Sequence, residues 1–154
     1  MPYFVVEGKA KKEPIELLPE IYRLSVDNLI EDVKEAKSLG IKAILLFGVS
    51  RKKDASGNQA YNRDGIVQKA IKALRKNIKD IVIITDVCLC GYTTSGHCGI
   101  VKNRCIDNDE TIKILAKIAL SHTKAGADFV APSAMMDGQV KAIRETLDKN
   151  GFKE

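Results

Sequence analysis

The sequence predicts an α/β fold built from parallel strand–helix units, and three observations carry that reading. Four short apolar runs rich in Val and Ile recur along the chain: Tyr3 to Val6, Ile41 to Phe47, Ile81 to Val87 and Asp128 to Ala131. The runs are continuous rather than alternating, as strands buried on both faces are. Each run is followed by a stretch with helical period. Strand and helix in repeated alternation imply parallel pairing with right-handed crossovers.

The first strand precedes a helix that Ser25 can N-cap and Gly40 stops, with Leu29, Ile30, Val33 and Ala36 on one face. The second helix is expected from about Asp64 to Asn77. Val67, Ala70, Ile71, Leu74 and Ile78 form its inner stripe, with Lys69, Lys72 and Lys76 outside. The third runs from near Asn108 to Gly126 over a wide apolar arc of Ile112, Leu115, Ala116, Ile118 and Ala119. The fourth, about Gly138 to Lys149, turns Val140, Ile143 and Leu147 inward. Such a pattern fits a doubly wound sheet or part of a (β/α)8 barrel. A complete barrel needs roughly 250 residues, and this chain has 154. No Gly-rich phosphate loop follows any strand, so a dinucleotide fold gains no support. A half barrel would leave the first and fourth strands as open edges, which points to a piece of something larger or an obligate assembly.

Composition narrows the function classes. Hydrophobic residues at 45% and charged ones at 29% are globular values, against disorder. No apolar stretch is long enough to span a membrane. Met1 to Glu7 lacks the pattern of a signal peptide, so the cytoplasm is the expected location. Net charge is +5, but the lysines are dispersed and aromatics are only 5%, so no nucleic-acid surface is expected.

Chemistry in parallel α/β folds sits at the carboxyl ends of strands. Three polar loops lie there: Gly48 to Arg63, Cys88 to Asp107 and Pro132 to Gly138. Cys88 and Cys90 leave the third strand pointing to one side, because side chains alternate along extended chain. Gly91, Gly96 and Gly99 let the loop return so that Cys98 can complete a three-thiolate site. Zinc suits such donors, and three protein ligands leave a fourth position for water or substrate. Cys105 is either a fourth ligand, as in an iron–sulfur or closed zinc site, or a core residue. His97 could bind metal, move a proton or simply hydrogen-bond. His122 follows the apolar face of the third helix and reads as a core histidine.

Asp86 lies near the end of a buried strand, where a carboxylate is costly unless paired. It is the candidate acid, base or amine partner beside the metal. Ser133 and Asp137 follow the fourth strand and could bind substrate or cap the last helix. Met135 and Met136 read as packing.

These residues together resemble the porphobilinogen synthase (5-aminolevulinate dehydratase) family. Thr85-Asp86-Val87-Cys88-Leu89-Cys90 with Gly96-His97-Cys98-Gly99 looks like its metal loop. Val130-Ala131-Pro132-Ser133 with Met135-Met136-Asp137-Gly138 looks like its fourth-strand signature. Phe4 to Gly8, Tyr22 to Ser25 and Leu45 to Val49 fit as well, so the likeness spans Pro2 to Phe152. The resemblance implies a TIM barrel that condenses two 5-aminolevulinate molecules into porphobilinogen with loss of two waters, toward haem, sirohaem and cobalamin. It implies Zn2+ on Cys88, Cys90 and Cys98, Asp86 beside the metal, homo-octamers or hexamers, and an allosteric Mg2+ whose site is not in this chain. Where the family often has Asp, this sequence has Ala134. The family's two Schiff-base lysines lie on later strands. Lys42 and Lys102 lie near the strands and the metal loop here, but nothing marks either as desolvated. The expectation is therefore one partial domain over residues 1–154, the first half of a barrel truncated after about four units and inactive alone. A non-catalytic zinc-binding half barrel is the alternative.

Overall fold

A computed structural model describes residues 1–153. The strands are β1 (Pro2–Val5), β2 (Lys12–Ile15), β3 (Leu18–Leu24), β4 (Ala43–Gly48), β5 (Val82–Val87), β6 (Ile100–Lys102), β7 (Cys105–Asp107) and β8 (Phe129–Pro132). The helices are α1 (Val26–Ser38), α2 (Ile66–Asn77), α3 (Asn108–Ala125) and α4 (Gln139–Lys149), with a 3-10 turn at Asn58–Tyr61. The main sheet has the order β2-β3-β1-β4-β5-β8. Within it β1, β4, β5 and β8 pair in parallel and in chain order. That sequential order lacks the reversal that defines a doubly wound sheet. Helices follow suit, α1 packing on α2, α2 on α3 and α3 on α4.

Two hairpins depart from the pure strand–helix expectation. β2 and β3 form an antiparallel pair, and β3 adds to β1 in parallel through Phe4–Arg23 and Val5–Leu24. The first strand is thus not an open edge, contrary to expectation. The edge passes to β2, which carries Pro14, a residue tolerated where no neighbour needs its N–H. β8 is the other edge. β6 and β7 form a second hairpin in the segment that follows Cys98. Its turn residues Asn103 and Arg104 both have positive φ, 50° and 63°, the backbone of a two-residue primed turn.

Burial alternates along the strands, although the sequence suggested strands covered on both faces. Tyr3, Val5, Ile44, Leu46, Ile83, Thr85 and Val87 face the helices and are buried. Phe4, Leu45, Phe47, Val82 and Ile84 alternate with them and are only half-buried. Phe4 and Phe47 stack at 5.1 Å on that second face. That face is only partly shielded. Phe129, level with Ile84 in the next strand, is 61% exposed. Val140 of α4 is also exposed, at 65%, rather than inward as its spacing suggested.

Helix ends follow local chemistry. Ser25 stands at the N-cap of α1, but its hydroxyl bonds Asp27 at 2.5 Å instead of a free helix N–H. Asp107 caps α3 by accepting from Glu110 N at 2.9 Å. At the opposite end of the sheet, Arg75 of α2 donates to the carbonyls of Gly126 and Ile81, at 2.8 and 3.0 Å, and pairs with Asp128. Asp128, read from sequence as the start of a strand, also accepts from Ile83 N at 2.7 Å. This fork ties α2, β5 and the entry to β8 together.

His122 is 1% exposed, with Nδ1 3.1 Å from Thr85 Oγ1 and no partner for Nε2. Burial pulls its pKa down to about 4. An unfolded histidine takes up its proton near pH 6.5, whereas the folded one stays neutral until about pH 4. Its contribution to stability is therefore full above about pH 6.5 and falls by roughly 3 kcal/mol as pH drops toward 4. Urea midpoints at pH 7 and pH 4.5 should fall less in His122→Gln than in the unmodified chain. Equal falls would remove His122 as the source of acid sensitivity.

Candidate metal centre

The carboxyl ends of β5 and β8 carry the site. Val87 is the last residue of β5, so Cys88 and Cys90 emerge directly from a strand fixed on both sides by β4 and β8. Cys98 returns on the loop, and the sulfurs of Cys88, Cys90 and Cys98 all lie within 4.8 Å of one another. Cys88 and Cys90 Sγ are 3.5 Å apart. Cys88 is buried, Cys98 half-buried and Cys90 exposed, so the cluster opens on one side.

Backbone contacts from the neighbouring loop hold this geometry. Ser50 N donates to Gly91 O at 3.2 Å, Asp54 N to Tyr92 O at 3.2 Å, and Thr94 N to Asp54 O at 3.1 Å. Gly91 lies against Gly48: a Cβ at Gly91 would stand 2.3 Å from Gly48 O, and one at Gly48 would stand 1.8 Å from the Tyr92 hydroxyl. At Gly91 the obstacle is backbone, so only glycine fits; at Gly48 the buried Tyr92 side chain would have to move. Glu7, just beyond β1, accepts from Ser50 Oγ and Arg51 N, both at 3.0 Å. A relay thus runs from Glu7 through Ser50 to Gly91, the residue after Cys90. Sequence reasoning missed Glu7. Its signal was an acidic residue at the carboxyl end of the first strand.

Asp86 Oδ1 accepts from Ser133 Oγ at 2.5 Å, so the tops of β5 and β8 meet beside the cysteines. Burial raises the Asp86 carboxyl to about 6; Ser133 opposes the shift, and Cys88 adds to it. Cys88 is lowered to about 5, first by hydrogen bonding with Cys90, with burial acting against it and Cys98 and Ser133 assisting. Cys90 is raised, first by its hydrogen bond with Cys88 and then by burial. The set therefore holds one thiolate readily and shares protons over the others. Three soft sulfurs with one open side fit a zinc-type ion: they match its donor preference and leave room for a further ligand.

The other candidates fall outside the cluster. Cys105 pairs with Lys102 in the β6–β7 hairpin and is exposed, so it is neither a core residue nor a member of the sulfur group. The tight turn at Asn103–Arg104 holds it there. His97 Nδ1 accepts from Gly99 N at 3.3 Å, a contact within its own loop. Asp137 is exposed. Its backbone exchanges two hydrogen bonds with the Asn108 side chain, at 2.9 and 3.1 Å, and no contact joins its carboxylate to Asp86 or the cysteines. Neither Ser133 nor Asp137 caps α4, whose N-cap is Gly138. Met136 is packed and Met135, two residues after Ser133, is 75% exposed.

Comparison with known proteins gives a consistent result. The family model described as delta-aminolevulinic acid dehydratase matches residues 1–154. A delta-aminolevulinic acid dehydratase of Methanothermus sociabilis is 60% identical over 151 residues, which is 98% of this chain and 47% of that protein. One from Bacillus subtilis is 48% identical, with the same two coverages of 98% and 47%. A crystal structure of the Toxoplasma gondii ME49 delta-aminolevulinic acid dehydratase (porphobilinogen synthase), in complex with its reaction product porphobilinogen, superposes with a TM-score of 0.94. Its sequence is 41% identical, and the match covers 98% of this chain and 44% of that one. The chain spans about half the length of these curated relatives.

Proposed function

This chain belongs to the delta-aminolevulinic acid dehydratase family, and on that premise we propose that it forms the metal-bearing half of a porphobilinogen synthase. The reaction is the condensation of two 5-aminolevulinate molecules to porphobilinogen with loss of two waters. The observation that carries the reading is the meeting of Cys88, Cys90 and Cys98 with the Asp86–Ser133 pair at the ends of two adjacent parallel strands. The half-buried face of Phe4, Leu45, Phe47 and Ile84 is read as the interior of a (β/α)8 barrel, to be covered by further strand–helix units.

Cys88, Cys90 and Cys98 would hold Zn2+. When bound, the ion polarises a carbonyl or lowers the pKa of a water at its open position. The protein's own groups do the rest. Asp86, a half-buried carboxyl beside the cysteines whose pKa burial raises, suits a partner for a substrate amine. Ser133 orients that carboxyl by donating to Oδ1. Cys88, held low by its hydrogen bond with Cys90, offers the first thiolate, and Cys90 and Cys98, both raised, would release their protons as the ion binds.

The test joins this chain to the remaining units and follows porphobilinogen formation. Asp86→Asn is expected to reduce turnover by about 100-fold or more, the usual scale of a lost acid–base group. Ser133→Ala should reduce it less and shift the pH profile, because the carboxyl then loses its donor. Unchanged turnover in Asp86→Asn would remove Asp86 from the mechanism. A joined protein that binds zinc yet forms no porphobilinogen would favour a non-catalytic metal module.

A further inference from the structure

A cavity of about 310 Å3 lies on the helix side of the molecule, and no cysteine lines it. It is lined by Tyr61, Arg63, Lys72, Ser121, Lys124 and Ala125. Those residues come from the 3-10 turn, the segment before α2, and the facing surfaces of α2 and α3. The volume lies at the lower end of small-molecule pockets, roughly 300–1,000 Å3.

Its charge is one-sided. Arg63, Lys72 and Lys124 make no ion pair with any carboxylate among the described residues. Lys117, on the same face of α3 as Ser121 and Lys124, places its ammonium 5.7 Å from the centre of the Tyr61 ring and is likewise unpaired. Asp64, the carboxylate next to Arg63 in sequence, lines a different depression with Glu7 and Lys69. Cations gathered around a concave, partly apolar wall repel one another and concentrate a positive potential there.

The floor is rigid. Gln68 is 1% exposed, and both hydrogens of its amide are used, on Ala60 O and Ser121 Oγ, each at 2.8 Å. Ser121 in turn donates to Ile118 O at 2.9 Å. Lys72 Nζ donates to Arg63 O at 3.1 Å, which fixes one cation at the rim. The pocket is thus held open by bonds that involve no ligand. It lies between helices adjacent in this chain, so covering the open face of the sheet would leave it accessible.

We propose that this groove binds a small phosphate monoester. Arg63, Lys72 and Lys124 meet the dianionic phosphate, and the organic body lies against Tyr61 and Ala125. Arginine and lysine together favour phosphate oxygens, the guanidinium as a fork and the ammonium groups as point charges. A bare phosphate would leave the Tyr61 side of the cavity empty. The site is independent of the metal centre.

Calorimetric titration of the chain with phenyl phosphate at low salt tests this. Saturable binding of one molecule per chain is expected. The double variant Lys72→Ala/Lys124→Ala should weaken it by at least about tenfold, since hydrogen bonds to charged groups contribute about 1.5–3 kcal/mol. Lys72→Arg/Lys124→Arg should retain binding, which separates charge from any effect on folding. Tyr61→Ala should weaken phenyl phosphate more than inorganic phosphate. Cys98→Ser should change nothing here, whatever it does to metal. Absence of saturable binding, or binding undiminished in the double alanine variant, would overturn the proposal.

Discussion

Replacing Cys98 with Ser is expected to weaken zinc binding by more than about 100-fold. Changes to residues that merely support a metal ligand cost 10–100-fold, and a lost ligand exceeds that. The reason is chemical. A serine hydroxyl is a hard donor and stays protonated at neutral pH, whereas Cys98 presents a soft sulfur within 4.8 Å of two others. Cys105→Ser should leave affinity unchanged, because Cys105 lies exposed on the β6–β7 hairpin. Glu7→Gln should fall between them, at about tenfold, since it touches no sulfur and acts through Ser50 on Gly91. Competition against a chromophoric chelator at pH 7 reads all three. Equal losses at Cys98 and Cys105 would favour a four-cysteine site.

The second large effect is all-or-none. Given 5-aminolevulinate and borohydride, the 154-residue chain should gain no mass. Trapping requires a lysine amine to attack the ketone carbonyl and lose water as an imine forms. Borohydride then reduces the imine to a stable secondary amine. An ordinary lysine, with pKa about 10.4, is almost wholly protonated at neutral pH and needs burial or a neighbouring cation to react. No lysine is among the groups that shift Asp86, Cys88, Cys90 or Cys98. Lys102, near the metal loop in sequence, bonds Asp107 at 2.8 Å, which raises its pKa and so keeps its proton on. Joined to the rest of a barrel, the protein should trap one substrate per active site. Cys88→Ala in that protein should still trap but form no pyrrole. Stoichiometric trapping on the chain alone would mean that its nucleophile is already present.

The four main strands and four helices were legible in the sequence because each strand is a short apolar run and each helix carries an apolar stripe. Bounds moved by one or two residues, as with β4 at Ala43–Gly48 and α2 at Ile66–Asn77. The β2–β3 hairpin was not legible. Lys12 to Leu24 mixes charges with Pro14 and Pro19, and its order comes from pairing with β1, which no local pattern announces. The β6–β7 hairpin was missed because its strands are three residues each and its turn uses Asn103-Arg104 without glycine. Cysteine spacing announced the sulfur cluster, but β5 ends at Val87 and the chain bends and turns at Leu89 and Cys90, so the turn and not strand alternation brings Cys88 and Cys90 together. The Asp86–Ser133 contact spans 47 positions and depends on the β5–β8 register, so only the fold could reveal it.

The alternation of burial along the strands divides neighbouring positions between two kinds of selection. Ile83 is sealed against the helices, so trimming it to alanine would cost this chain about 2–5 kcal/mol whatever else is present. Ile84, one residue on, is half open, so its packing value depends on what covers the second face. The same holds for Leu46 against Phe47. In a mutational scan, abundance of the 154-residue chain would report on one residue of each pair, and only the covered assembly would reveal the demands on the other.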